Sequence, residues 1–216
     1  MPTRTVPLSE VTDRFVAELD QIESAFYKCR GHSTVEGYIS YVPTEEGCLF
    51  AMWDAWSRFL RTLVVTVSAG PTQSLAGITY TPTSIRTERD VLDYLLANKS
   101  GQNYRFVNHE PNWHDERAIS DIVTVLSLPN ASTIIGSVTT TTVVLGPIVV
   151  ESPLAEIRTA RNFCAHKNWK TFADVGGFGG GTFSTLSDHM RRRRSGVETF
   201  SEWKESLEAI AASAAQ

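Results

Sequence analysis

Cysteine is scarce in this 216-residue chain: Cys29, Cys48 and Cys164 stand far apart, with no CxxC spacing. An odd number of isolated thiols argues against a disulfide framework and for a reducing, cytoplasmic setting. In such a setting the sequon Asn130-Ala131-Ser132 is a chance match. Long apolar runs are missing too. The most apolar stretch, Thr142 to Val150, is short and interrupted by Gly146-Pro147, so no membrane span is expected. The opening MPTRTVPLSE lacks the apolar core of a secretory signal. Net positive charge is also absent. A formal charge of −4 is not the footprint of a general nucleic-acid binder. There is no internal repeat and no long linker.

What the chain does have is a hydrophobic content of 42% and five tryptophans, enough for a packed globule. The expected fold is an all-α bundle of five or more helices with loop elaborations, a single helical domain over 1–216. Leu8, Val11, Phe15, Leu19, Ile22 and Phe26 recur at helical spacing over Leu8 to Tyr27. A short, partly aromatic stretch with glycine follows (Gly31 to Tyr41). Thr44 is then the expected cap of a core helix running to Ser68, with Glu45 and Glu46 suiting its N-terminal dipole. Leu49, Met52, Trp53, Trp56, Phe59, Leu60 and Leu63 share its broad apolar face, where aromatics serve packing. Gly70-Pro71 to Ser84 reads as a turn-rich loop. Thr87 with Asp90 caps a short helix ending near Asn98, and Asp115 to Leu126 reads as another. Asn130 to Val150 supports two readings, a short helix and loop or a short β element around 133–150. Ser152-Pro153 starts a helix reaching about Lys167, and Phe183 to Arg193 holds a short one. Thr199 to Glu202 has the form of a capping box for the last.

Charge is segregated along the chain. From Arg158 to Arg194 there are eight basic residues (Arg158, Arg161, Lys167, Lys170, Arg191, Arg192, Arg193, Arg194) against Asp174 and Asp188. This stretch carries +6 and leaves −10 for the rest, so a polyanion is drawn here and repelled elsewhere. On a helical wheel Leu154, Ile157, Ala160, Cys164 and Ala165 form an apolar arc, and Arg161 falls inside it. Arg158, Asn162 and His166 make a polar ridge at i, i+4, i+8. A guanidinium on a buried face needs a partner, because an unpaired buried charge is unfavourable. Arginine grips non-bridging phosphate oxygens, histidine moves a proton near neutral pH, and asparagine orients either. RNA brings its own nucleophile in the 2′-OH, so no metal or cofactor is required. One histidine does not easily serve as base and acid together, and a two-fold pair of chains would supply both.

The run Arg-Asn-Phe-Cys-Ala-His (Arg161 to His166), within IRTARNFCAHKN, resembles the R-x4-6-H motif of the HEPN superfamily, with its polar residue directly after the arginine. The specific match covers about a dozen residues. WDAWSRFLR (Trp53 to Arg61) and FSEWKESLEAIA are more loosely similar to flanking parts of prokaryotic members. The resemblance implies a HEPN-like helical bundle, often dimeric, and a metal-independent endoribonuclease acting as a toxin or anti-phage defence effector. It implies Arg161, Asn162 and His166 as catalytic residues in a cleft shared by two protomers. It also implies a cognate antitoxin or defence-system partner and tRNA or single-stranded RNA as substrate. Arg158, Lys167, Lys170 and Arg191 to Arg194 are the expected RNA-binding residues. The same cleft in a non-catalytic module would bind RNA, a nucleotide or a partner.

Plainer accounts stand beside these. Arg161 and His166 suit a structural salt bridge and a dipole-favoured helix end. Arg158 suits a solvated face, Arg191 to Arg194 an exposed helix tail, and Cys164 a small core residue. His109, Glu110, His114, Asp115 and Glu116 are metal-capable but match no metal motif, and Pro111 breaks the run; a loop leading into a capped helix accounts for them. VGGFGGG (Val175 to Gly181) lacks the Lys-Ser/Thr of a phosphate loop and reads as a flexible hinge.

Overall fold

A computed structural model describes residues 5–28, 34–36, 39–176, 185–194 and 196–216. Cys29 and residues 177–181 of the glycine run lie outside these residues, as do residues 31–33 and 37–38 of the stretch 31–41. The chain begins with β1 (Val6–Pro7), α1 (Ser9–Lys28), β2 (Thr34–Glu36), β3 (Ile39–Tyr41) and α2 (Pro43–Ala69). It continues through β4 (Thr72–Gln73), β5 (Thr79–Tyr80), α3 (Glu88–Ala97), β6 (Phe106–Val107), β7 (Glu110–Pro111), α4 (Glu116–Val125) and α5 (Ala131–Val138). After β8 (Thr142–Leu145) and β9 (Ile148–Glu151) come α6 (Pro153–His166), α7 (Trp169–Gly176) and α8 (Leu186–Arg191). The hairpin β10 (Arg193–Arg194) and β11 (Val197–Glu198) leads into α9 (Thr199–Ala214). The described residues are therefore mostly helical, with short strands. Among them no helix is long and apolar enough to cross a membrane.

The chain divides into two compact units, and α1, α2 and α9 contribute residues to both. The first takes residues up to Val16, Trp56–Thr140 and Glu208–Gln216. Its core forms where the expected apolar faces meet: Phe15 stacks on Phe59 at 4.7 Å between ring centroids, and Trp56 lies 5.6 Å from Phe59. Leu60, Leu63, Ile119 and Ile122 are buried around them, each worth about 1.5–3 kcal/mol. β4 pairs in parallel with β1 and antiparallel with β5. The Thr87–Asp90 capping box forms as its spacing predicts. Asn108 and His109, both at positive φ, make the tight turn joining β6 to β7. Within the metal-capable run, Glu110 accepts from Arg61 and Trp113, and Asp115 caps α4. Among the described residues no three such side chains converge on one point. Asn130 is buried, which closes its sequon to modification.

The second unit takes Ala17–Ala55 and Thr141–Leu207. Phe26 and Phe200 stack in parallel at 4.0 Å, an arrangement worth about 0.5–1.5 kcal/mol beyond burial. Both readings of Asn130 to Val150 hold in part, a helix (α5) and then the β8–β9 hairpin, in which Val143 pairs with Val150 and Val144 with Val149. The first pair is buried and the second exposed, as strand alternation requires.

Three expected caps differ. α2 starts at Pro43, so Thr44 lies inside its first turn. Ser152 makes no side-chain cap and adopts a left-handed conformation, φ +48°, its N–H donating to Thr141 O at 2.6 Å. The Thr199–Glu202 box does not form. Thr199 Oγ1 donates instead to Arg192 O, and the Glu202 carboxylate turns into the interior. A box that composition alone does not advertise, Thr185 with Asp188, opens α8.

Candidate anion site on helix α6

Helix α6 is held at both ends by left-handed residues, Ser152 and Lys167, neither a glycine. Such a conformation costs an ordinary residue roughly 1–2 kcal/mol and persists only where surroundings impose it. At Lys167 they are visible: its N–H donates to Phe163 O at 2.7 Å, and its ammonium is ion-paired with Glu46 of α2. The chain therefore turns sharply just after His166.

The buried face of α6 comprises Leu154, Glu156, Ile157, Ala160, Phe163 and Cys164. It is rotated from the expected arc toward Phe163 and Glu156, leaving Ala165 exposed. The cause is Glu156, drawn inward by hydrogen-bonding partners from the following segment. Its Oε1 lies 3.0 Å from His189 Nε2, and both oxygens receive Arg194, Oε2 at 3.2 Å. Burial raises the Glu156 pKa, but the His189 and Arg194 hydrogen bonds outweigh it and bring the carboxyl down to about 2. Glu202, almost fully buried with Arg194 Nε at 3.8 Å, is raised instead, mainly by burial.

The rotation moves Arg161 to the seam between buried and exposed faces. Its guanidinium lies 5.4 Å from the centroid of the half-buried Phe50 ring on α2. Nη1 reaches Asn162 Oδ1 at 3.4 Å, and Nε is buried without an acceptor. Among the described residues Arg161 has no carboxylate partner. Arg158 and Asn162 are half-exposed and His166 is exposed, so the expected polar ridge does face outward. Arg161 and His166 do not share a face: five helical steps set them about 140° and about 7.5 Å apart. Cys164 is buried, and burial, reinforced by the Glu46 charge, pushes its thiol above the ordinary range. It fits the core role.

The expected RNA-binding cations split into two sets. Lys167 is paired with Glu46. Arg191 Nε donates to Glu45 Oε1 at 2.9 Å, with its guanidinium 4.8 Å from the Phe26 ring centre. Arg194 serves Glu156. These three are thus largely neutralised by buried glutamates. Arg193 is exposed, 3.8 Å from Glu198; Lys170 is exposed; Arg158 and Arg192 are half-exposed. Sequence reasoning missed Glu45, Glu46, Glu156, His189 and Phe50. The signal for Glu45 and Glu156 was available, because Glu45 lies one turn from Leu49 and Glu156 one turn from Ala160, each on an apolar face. The test that singled out Arg161 applies equally to acids.

In comparisons with family models, with curated proteins and with solved structures, none matches this chain.

Proposed function

We propose that the chain is a metal-independent endoribonuclease of HEPN type, homodimeric and serving as a toxin or defence effector held in check by a cognate partner. The observation that carries this reading is Arg161: a half-buried guanidinium, held by an aromatic ring and an amide, whose charge no carboxylate among the described residues consumes. By contrast Lys167, Arg191 and Arg194 each have a glutamate. A phosphate is the natural missing partner.

In this reading Arg161 stabilises charge developing at phosphorus while His166 transfers a proton to or from the 2′-OH or the 5′-leaving oxygen. Attack by the 2′-oxygen forms a 2′,3′-cyclic phosphate and releases a 5′-OH. Asn162, beside Arg161 and on the ridge of His166, orients one of them. The angular separation of Arg161 and His166 on one helix favours a cleft completed by a second protomer, whose histidine faces this arginine. Lys170, Arg158, Arg192 and Arg193 then carry the flanking phosphates more than the three paired cations do.

The test is cleavage of mixed tRNA and single-stranded RNA in EDTA by wild type and His166→Ala. Cleavage by wild type alone, with cyclic-phosphate ends, supports the mechanism; cleavage abolished by chelator and restored by a divalent ion sinks it. One observation favours a non-catalytic binding module as second reading: among the described residues nothing hydrogen-bonds His166 to fix its ring. RNA protection without cleavage, weakened by salt and by Arg161→Ala, would select it.

A further inference from the structure

The helix that supplies the Phe50 ring beneath Arg161 also carries a buried carboxylate, Glu46, with which Arg161 does not pair. Glu46 stands one turn before Phe50 on α2, so the acid and the ring beneath Arg161 share a face about 6 Å apart along the helix. Lys167, which holds Glu46, also ends the helix that carries Arg161, so α2 and α6 meet both at Phe50 with Arg161 and at Glu46 with Lys167. Both groups have unmet capacity: Glu46 Oε1 is buried without a donor, and Arg161 Nε is buried without an acceptor. Two such atoms on neighbouring elements are expected to find each other, because a buried unpaired polar atom is unfavourable. What intervenes is Lys167, whose ammonium takes Glu46 Oε2.

We propose that Lys167 is a positioning residue that occupies Glu46, so that Arg161, seated on the Phe50 ring, keeps its charge for an incoming phosphate. An aromatic partner attracts the guanidinium without neutralising it, whereas a carboxylate would do both. Lys167 is suited to the task by place as well as charge. Its left-handed backbone ends α6, and its side chain reaches Glu46 on α2. Removing its ammonium leaves Glu46 without its ion partner, and Arg161 is the cation at hand. Lys167 thereby serves anion binding without touching the anion. The ligand named here rests on the functional reading above; the pairing itself does not.

The experiment uses the full chain as wild type, Lys167→Met, Glu46→Gln and the double variant, with two readouts and a melting temperature for each. The first readout is the Arg161 side-chain Nε–Hε resonance, assigned by its loss in Arg161→Lys. It is expected at the shift of an unbonded N–H in wild type, to move downfield in Lys167→Met as it gains a carboxylate acceptor, and to revert in the double variant. The second is affinity for a short 2′-O-methyl RNA at fixed salt. Lys167→Met is expected to weaken binding tenfold or more, and adding Glu46→Gln to restore it to within about threefold, while Glu46→Gln alone changes little. An unchanged resonance in Lys167→Met overturns the proposal. So does a Glu46→Gln gain of equal size in both backgrounds, which is simple long-range electrostatics, or an unrescued loss, which makes Lys167 a direct phosphate contact. Should wild type bind no RNA while the resonance behaves as described, the positioning role stands and the ribonuclease reading falls.

Discussion

Arg61 and Arg161 are both half-buried arginines on core helices, and the two units of the chain treat them in opposite ways. In the first unit Arg61 is clamped by Glu110, through Nε at 3.1 Å and Nη2 at 2.7 Å, and by Glu88 at 2.6 Å. In the second, Arg161 lies over a phenyl ring with an amide at its edge. The second unit does not lack acids. Glu45, Glu46, Glu156 and Glu202 are all buried there, and their cations are Arg191, Lys167 and Arg194. An arginine that holds the structure together is given carboxylates. One left to an aromatic ring retains the charge and hydrogen-bonding capacity that a phosphate would use.

The sharpest way to test this contrast is to remove a paired cation. Arg194→Ala strips the buried Glu156 of its main ion partner and is expected to destabilise the protein by about 3–5 kcal/mol, read as a lower urea midpoint. A loss below about 1 kcal/mol would show that the buried carboxylates do not depend on their cations.

Acid titration probes the same cluster. The folded pKa of Glu156 is lowered, so its contribution is complete above the ordinary carboxylate range and is lost as pH falls toward about 2. Roughly 3 kcal/mol is expected to vanish over that window, and Glu156→Gln should flatten the profile. Glu202 and Glu46, raised by burial, carry the opposite sign: they favour folding at low pH and lose that contribution as pH rises through their folded values. Glu202→Gln is therefore expected to gain stability at neutral pH rather than lose it.

The comparison itself turns on paired arginine variants. Arg61→Ala is expected to lose about 1–2 kcal/mol, since Glu110 loses a two-pronged charged bond in a half-exposed place. Arg161→Ala should shift stability by about 0.5–1 kcal/mol at most, the worth of a partly exposed cation–π contact, while abolishing RNA binding or cleavage. Equal destabilisation by both would make Arg161 another structural arginine. The smallest expected effect is at Ser152, where glycine relieves the left-handed backbone and raises stability by up to about 1 kcal/mol. Thermal melts would show it.

How much of this was legible in the sequence follows from the range of the forces involved. α1, α3 and α4 were readable because periodicity and caps are local, and Thr87–Asp90 and Asp115 behave as their spacing dictates. Thr199–Glu202 has equally good spacing and fails, because Arg194 and the interior compete for the carboxylate. Asn130 to Val150 stayed open because Thr and Val suit either a short helix or a hairpin. Within the site, the outward ridge of Arg158, Asn162 and His166 was readable from the wheel, whereas Arg161, expected inside the apolar arc, stands at its seam because the inward turn of Glu156 rotates the face. The fate of the basic stretch was not. Glu45 meets Arg191 across 146 residues and Glu46 meets Lys167 across 121, and no local pattern encodes such pairs.

The β8–β9 hairpin carries a consequence for handling the protein. It pairs with no third strand among the described residues, and its outer face shows Val144 and Val149 to solvent. Unpaired backbone edges beside β-branched side chains are the template on which other chains add in register, the first step of fibrillar aggregation. Here the ribbon is only four residues per strand, ends in Gly146-Pro147 and has the exposed Glu151 at its base, all of which shorten the template. A lysine at Val144 would remove the remaining sticky surface and give a better-behaved protein at the concentrations that spectroscopy requires.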